Sequence, residues 1–258
     1  MSVTQLPKLR RDNPGMLSLD RQETYRERYR SRYPDWRWGG ALYEATIRDY
    51  LQPIDKPPLS KTSVLDLGCG AGGVVELFSR SVYLPVGIDI DLDSLQRHRA
   101  TAVQRVQGRL ERIPFPKGTF DLVISSWTLE HLAAPEPVFH ELARVLKSNG
   151  HFVFIAPNAR SLIVRLNRLM PKMAQTLLVR FLYGRAEQDT FPALYRANTP
   201  AEIERLAQSA GLQRVMLRAV SDPSYLAFTE LFFWLSIIVG RLTPPNTYVH
   251  IVGDYVKV

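Results

Sequence analysis

Val64-Leu65-Asp66-Leu67-Gly68-Cys69-Gly70-Ala71-Gly72-Gly73 reads as a short apolar strand running into a glycine-rich turn, with a helix expected over Gly72–Arg80. Gly68, Gly70 and Gly73 satisfy the spacing G-x-G-x-x-G, and Asp89, at the end of the next strand, stands 21 residues after Gly68. Strand, glycine turn, helix and distant acid together describe a nucleotide-like ligand site at the edge of an α/β sheet. Taken alone, the pattern suits a dinucleotide equally well.

Charge separates the candidate ligands. A dinucleotide sets an anionic pyrophosphate against the turn and the helix N-terminus, where Asp66, two residues before the first glycine, opposes it. S-adenosylmethionine brings an ammonium and a sulfonium to the same turn, where a carboxylate is favourable. Asp89 is placed to accept from ribose hydroxyls in either case. No Tyr has a Lys four residues on, so the usual pair of short-chain reductases is missing.

Outward from this turn the pattern repeats. Leu84–Ile88, Val103–Gln107, Phe120–Ser125 and His151–Ala156 read as strands, with helices over Asp91–Ala100 and Pro137–Lys147. Such alternation predicts βαβ units, a parallel sheet and right-handed crossovers. Thr199-Pro200-Ala201-Glu202 sets an N-cap, a proline at N1 and a glutamate at N3, starting a helix that ends at Gly211. Gln213–Ala219 and Tyr248–Val258 read as the last strands. Before the fold, Tyr25, Tyr29 and Tyr33 recur at i, i+4, followed by Trp36 and Trp38, as one helix or two with an inward aromatic stripe. Pro53, Pro57 and Pro58 punctuate the chain after it. The expected organisation is an N-terminal helical cap over 1–58 and a main domain over 59–258, with insertions at 158–198 and 221–246.

Asp66-Leu67-Gly68-Cys69-Gly70-Ala71-Gly72 resembles motif I of class I S-adenosylmethionine-dependent methyltransferases. The likeness continues through Gly87-Ile88-Asp89-Ile90-Asp91, Glu111-Arg112-Ile113-Pro114-Phe115 and Phe120-Asp121-Leu122-Val123-Ile124-Ser125-Ser126. It goes on through Leu129-Glu130-His131-Leu132 and Glu141-Leu142-Ala143-Arg144-Val145-Leu146-Lys147. Over residues 60–157 the chain is similar to the small-molecule branch that includes quinone-biosynthesis enzymes, and several motifs in order are far more specific than one glycine loop.

The resemblance implies a Rossmann-like α/β fold. Its seven-stranded, mostly parallel sheet has helices on both faces and an antiparallel last strand, with the helical insertions as a lid. It implies S-adenosylmethionine as cofactor and S-adenosylhomocysteine as product. By that likeness Gly68 and Gly70 line the methionine part, in the turn that Asp66 precedes. Cys69 sits inside the same turn, its thiol expected to pack because no base partner can be named. Asp89 holds the ribose, Ile90 packs on adenine and Leu110 offers its backbone N–H to the ring. Ser126 and Trp127 lie beside the cofactor after strand four. Arg109 departs from the family, which carries an acid there to accept from the adenine amino group; arginine only donates. It either stacks on the adenine or points away, or another acceptor substitutes.

Methyl transfer is an in-line displacement in which positioning supplies much of the rate, and an oxygen or nitrogen nucleophile can also need a base. His131 is the candidate; the alternative is a hydrogen bond to loop backbone. Glu130 is expected to pair or cap locally. Aromatic residues in the insertions (Tyr183, Phe191 and Tyr195; Phe228, Phe232, Phe233 and Trp234) point to an apolar acceptor, with O-methylation favoured.

The chain has 33 basic and 25 acidic residues, a net charge of +8. Six of the basic residues, Arg160 to Arg185, fall in Pro157–Ala186 with no acid among them. That segment mixes arginines with apolar residues, as interfacial helices do, so a peripheral membrane contact through 158–186 or 225–242 is one expectation. RNA methylation along 157–186 is an alternative. Against it, Ser125-Ser126-Trp127-Thr128 stands where a nucleic-acid methyltransferase carries Asn/Asp-Pro-Pro-aromatic, so nucleic acid is not the expected partner. A non-catalytic cofactor-binding scaffold is the third reading. One cysteine excludes an internal disulfide and a thiolate metal site. A reducing cytoplasmic setting follows, with no metal expected, and no apolar run follows the basic N-terminus to make a secretory signal.

Overall fold

β1 (Ser63–Leu67) is buried along its whole length, as a strand covered by helices on both faces must be. The computed structural model describes residues 19–52, 59–169, 191–226 and 229–258. Around β1, a seven-stranded sheet runs in the order β3-β2-β1-β4-β5-β7-β6. The other strands are β2 (Leu84–Asp89), β3 (Gln104–Gln107), β4 (Phe120–Ser126), β5 (Leu146–Pro157), β6 (Leu212–Val220) and β7 (His250–Lys257). β7 alone runs antiparallel, inserted between β5 and β6, so the expected architecture is present.

Successive strand residues alternate between two apolar cores. Leu65, Val123, Phe152 and Phe154 pack on α4 (Pro135–Val145) and α6 (Pro200–Ser209) through Phe139, Leu142, Ile203 and Leu206. Val64, Ile124, Val153 and Val252 pack on Tyr43 and Ile47 of α2 (Gly39–Leu51). The N-terminal aromatic stripe begins in one helix with Tyr25 and Tyr29 and continues through Tyr33, Trp36 and Trp38 in the connection to the next. α1 (Leu19–Arg32) turns Tyr25 onto Phe233 of α7 (Glu230–Leu242), with ring centroids 4.6 Å apart, and Tyr29 packs on Tyr33 and Trp36.

Three expectations need correction. The helix over Gly72–Arg80 is a single 3₁₀ turn, Val74–Leu77; β-branched Val74 and Val75 follow a run of glycines, both poor helix formers, and Gly73 supplies no capping side chain. The helix over Asp91–Ala100 shrinks to α3 (Leu92–Gln96), because the chain returns to donate the Arg99 N–H to the Ala71 carbonyl, 3.1 Å away. The helix expected through Lys147 stops at Val145, and β5 begins at once because Leu146 pairs with Phe120. The Thr199 capping box forms as read, with both reciprocal hydrogen bonds. Pro53, Pro57 and Pro58 lie outside the described residues, as do Lys172, Arg180, Tyr183, Arg185 and Phe228. Within the described residues of the cationic segment, Leu162–Leu169 forms a helix, α5.

Candidate active site

Parallel register brings the carboxyl ends of four strands to one edge: Leu67 pairs with Ile88 and Ser125, and Asp89 with Gln107. The order reverses on either side of β1, with β2 on one flank and β4 on the other, which is where open α/β sheets bind ligands. At that point the chain makes its glycine turn. Gly68 has φ +69°, and a Cβ there would meet the Thr128 Oγ1 at 2.3 Å; the turn and β4 approach so closely that no side chain fits. Gly70 has φ +50° and nothing within 4 Å of where its Cβ would stand, which leaves an open cradle along the backbone.

Asp89 closes that cradle. Its Oδ2 accepts from the Gly70 N–H at 2.8 Å and its Oδ1 from the Asp91 N–H at 2.9 Å. Each carboxylate oxygen keeps further acceptor capacity, so the clamped group can still receive two hydroxyls. Ile90 is exposed beside it, and the Gln107 side-chain amide donates to the Ile90 carbonyl at 3.2 Å. Leu110 is half-buried and packs against the main core. Cys69 turns inward: a Cβ on Gly87 would lie 2.7 Å from its Sγ, and burial pushes the thiol well above its usual range. Cys69 can thus serve a ligand only through its backbone.

Asp66 behaves differently from the expected fixed charge. It is 2% exposed; burial, then the Asp89 and Glu76 carboxylates, push it up to about 8. At neutral pH the ligand-free group is mostly protonated. The contrast between a cationic and an anionic ligand therefore depends on the cation drawing that proton off, and the helix N-terminus invoked for a pyrophosphate is absent as well.

At the end of β4, Ser126 is half-buried, and Trp127 after it stands at φ 56°, a left-handed conformation that few non-glycine residues hold. The Trp127 N–H donates to the Ile155 carbonyl at 3.0 Å, pinning the bend. Its ring meets His250 edge-on, with centroids 5.0 Å apart. His250, which carried no positional signal in the sequence, is the first residue of β7 and pairs with Pro157 and Val220 at the same sheet edge. Burial holds it down to about 4, against the pull of Asp222, so it is neutral. Asp222 in turn takes an ion pair from Arg26 at 2.7 Å, and the Arg26 guanidinium lies 3.9 Å over Trp38. An antiparallel strand beside β5 must start at the ligand edge, which is the signal that could have found His250.

His131 presents its Nδ1 to the Pro192 carbonyl at 3.1 Å, so the loop-backbone hydrogen bond is present. A carbonyl only accepts, so Nδ1 carries the proton and Nε2 the lone pair. Burial lowers the imidazole below its ordinary value, which keeps it neutral. Nε2 lies 3.9 Å from Oε1 of Glu130, a buried carboxyl that desolvation raises to about 7. Phe191 packs edge-on to the His131 ring. The Arg109 side chain is 70% exposed and pairs with Glu111 at 3.5 Å. Among the described residues, no three His, Cys, Asp or Glu side chains gather as a metal set, and no helix is long and apolar enough to cross a membrane.

Comparison with known proteins agrees with this geometry. Residues 65–154 match the family model described as a methyltransferase domain. The chain is 33% identical over 139 residues to the malonyl-[acyl-carrier protein] O-methyltransferase of Herminiimonas arsenicoxydans, covering 50% of this chain and 53% of that one. It is 28% identical over 171 residues to the ubiquinone biosynthesis O-methyltransferase of Cupriavidus pinatubonensis, covering 63% and 65%. The chain thus spans less than two thirds of either relative. The fold resembles geranyl diphosphate C-methyltransferase from Streptomyces coelicolor A3(2), solved with S-adenosyl-L-homocysteine, at a TM-score of 0.56 and 15% identity, over 84% of this chain and 77% of that one. The clamped glycine turn, the seven-stranded order and the sequence match together make residues 65–154 similar to a methyltransferase domain.

Proposed function

We propose that this protein transfers a methyl group from S-adenosylmethionine to an oxygen of a small apolar acceptor, releasing S-adenosylhomocysteine. The observation that carries the reading is the Asp89 carboxylate, clamped by the Gly70 and Asp91 N–H groups beside a glycine cradle that a Cβ would fill. The cofactor, when bound, supplies an electrophilic methyl on a sulfonium. The chain's own part is to hold the ribose at Asp89, pack adenine on Ile90 with the Leu110 N–H beside it, and set Ser126 and Trp127 along the donor. His131, neutral and with its lone pair on Nε2, accepts the proton of the attacking hydroxyl.

The O-methyltransferase relatives support oxygen as the accepting atom. A ubiquinone-pathway relative and the aromatic surroundings of His131 support an apolar acceptor. In this reading residues 1–58 cap a catalytic domain over 59–258, and the insertions at 158–198 and 221–246 cover its ligand edge. Calorimetry with S-adenosylmethionine tests the first half: no heat of binding at millimolar cofactor overturns it. Incubation of the protein with methyl-labelled cofactor and a lipid extract tests the second; label should enter an organic-soluble, base-labile or ether-linked product.

A further inference from the structure

Two segments, 158–186 and 225–242, are candidates for contact with a membrane, and residues 170–186 of the first lie outside the described residues. In α5 the exposed large apolar residues are Leu162 and Leu166. α7 exposes Leu231, Phe232, Trp234, Leu235, Ile238 and Leu242, while Phe233 and Ile237 hold it to α1. This is a continuous apolar face on one helix, far beyond the scattered single residues of an ordinary surface. α7 follows the stretch after β6, whose end pairs with His250, so it lies next to the ligand edge.

The charge along that face is neutralised at one end and cationic at the other. α7 carries one acidic residue, Glu230, at its start, where it pairs with Arg28 of α1; its other charged residue is Arg241, which donates to the Tyr33 hydroxyl. Arg32 lies one turn beyond Arg28 on the same side of α1. Both arginines are exposed, as is Arg241, so the seam between the helices runs from a neutralised pair to a cationic end. An apolar helix face fringed by arginine matches an anionic lipid surface, with the ring and aliphatic groups below the headgroups and the guanidinium groups among the phosphates. A second copy of the chain would bring the same apolar patch and the same cationic end. At 13 residues, α7 is about 20 Å long, too short to span and suited to lie flat.

We propose that α1 and α7 form an interfacial platform that docks the protein on an anionic bilayer with α7 parallel to its plane. The docking stands independently of the methyl-transfer reading. That the acceptor enters from the bilayer rests on it, and the two fail in different measurements.

The test is co-sedimentation of the full chain with vesicles of phosphatidylcholine alone and of phosphatidylcholine with about one-third phosphatidylglycerol, at low and high salt. The protein should pellet with the anionic vesicles, less so as salt rises, and remain in solution with the neutral ones. Leu235→Glu/Ile238→Glu and, separately, Arg32→Glu/Arg241→Glu should each lower partitioning by about tenfold or more. Both pairs are exposed, and unchanged cofactor calorimetry in the same preparations shows that the fold and the cofactor site are intact. Equal pelleting with both vesicle types, or partitioning that neither variant changes, overturns the proposal. So does a dimer in sedimentation velocity that Leu235→Glu/Ile238→Glu dissociates, since the face would then be covered by a second copy. Lost cofactor binding in the wild type with vesicle binding retained overturns the methyl-transfer reading alone.

Discussion

The Asp89 Oδ2 accepts the Gly70 N–H at 2.8 Å, so the acid that ends β2 also holds the turn that ends β1. One side chain thereby shapes the cradle and faces it.

Removing either partner should separate binding from folding. Asp89→Ala loses two charge-assisted backbone hydrogen bonds, each worth about 1.5–3 kcal/mol, and should weaken cofactor binding by at least about a hundredfold, read by calorimetry. Gly70→Ala places a methyl in open space. Its left-handed backbone costs about 1–2 kcal/mol of stability, while cofactor affinity should fall further than stability does. Gly68→Ala collides with Thr128, so thermal unfolding should show the larger loss there. The reverse ranking would place the cradle elsewhere.

Asp66 couples cofactor binding to protons. Its ligand-free value of about 8 lies far above the ordinary carboxylate range, and a bound ammonium lowers it. Binding below pH 8 therefore expels a proton, and affinity should rise between pH 6 and 8 by up to about tenfold per pH unit. For folding the sign is opposite. A raised carboxyl contributes stability that is complete at low pH and is lost as pH climbs through the folded value, so the ligand-free protein should weaken from neutrality to pH 8. Calorimetry in buffers of different ionisation enthalpy reads the released proton, and Asp66→Asn should flatten both profiles.

His131 should matter to turnover and little to cofactor affinity. His131→Ala is expected to lower kcat by about 10²–10⁴ with cofactor binding unchanged. The wild-type rate should fall on the acid side below pH 6.5, since burial lowers the imidazole from that value. A kcat unchanged by the substitution would leave the residue its bond to Pro192 and nothing more.

His250 sets an acid limit on the fold. Held neutral down to about 4 by burial among Trp127, Asp222 and Arg26, it takes up its proton only on unfolding between its folded value and the ordinary 6.5. Stability should fall as pH drops through that window, and His250→Gln should flatten the slope in denaturant titrations from pH 4 to 6.5. The same steepness in the variant would assign the acid sensitivity to other groups.

Local chemistry made much of the fold legible. Alternating short strands and helices, the capping box at Thr199 and the order of motifs from Asp66 to Lys147 reveal themselves within a few residues of chain. The helix expected over Gly72–Arg80 is only a 3₁₀ turn, because β-branched Val74 and Val75 follow a run of glycines, while the return of the Arg99 N–H to Ala71 shortens the helix after β2. The position of Asp89 at the end of the strand after the glycine turn was legible, but its grip on Gly70 was not, because the two meet only across β1 and β2.

By itself, then, the amino-acid order determined the sheet, its ligand edge and the residues that supply the turn, since these follow from periodicity and backbone freedom over short spans. The tertiary structure alone decided which charges are present and what they face. Burial protonates Asp66 and neutralises His250, while Arg109 stays exposed beside Glu111. Packing from α1 decides which face of α7 is left exposed. Solvation and long-range packing depend on neighbours far apart in the chain, and only folding brings those neighbours together.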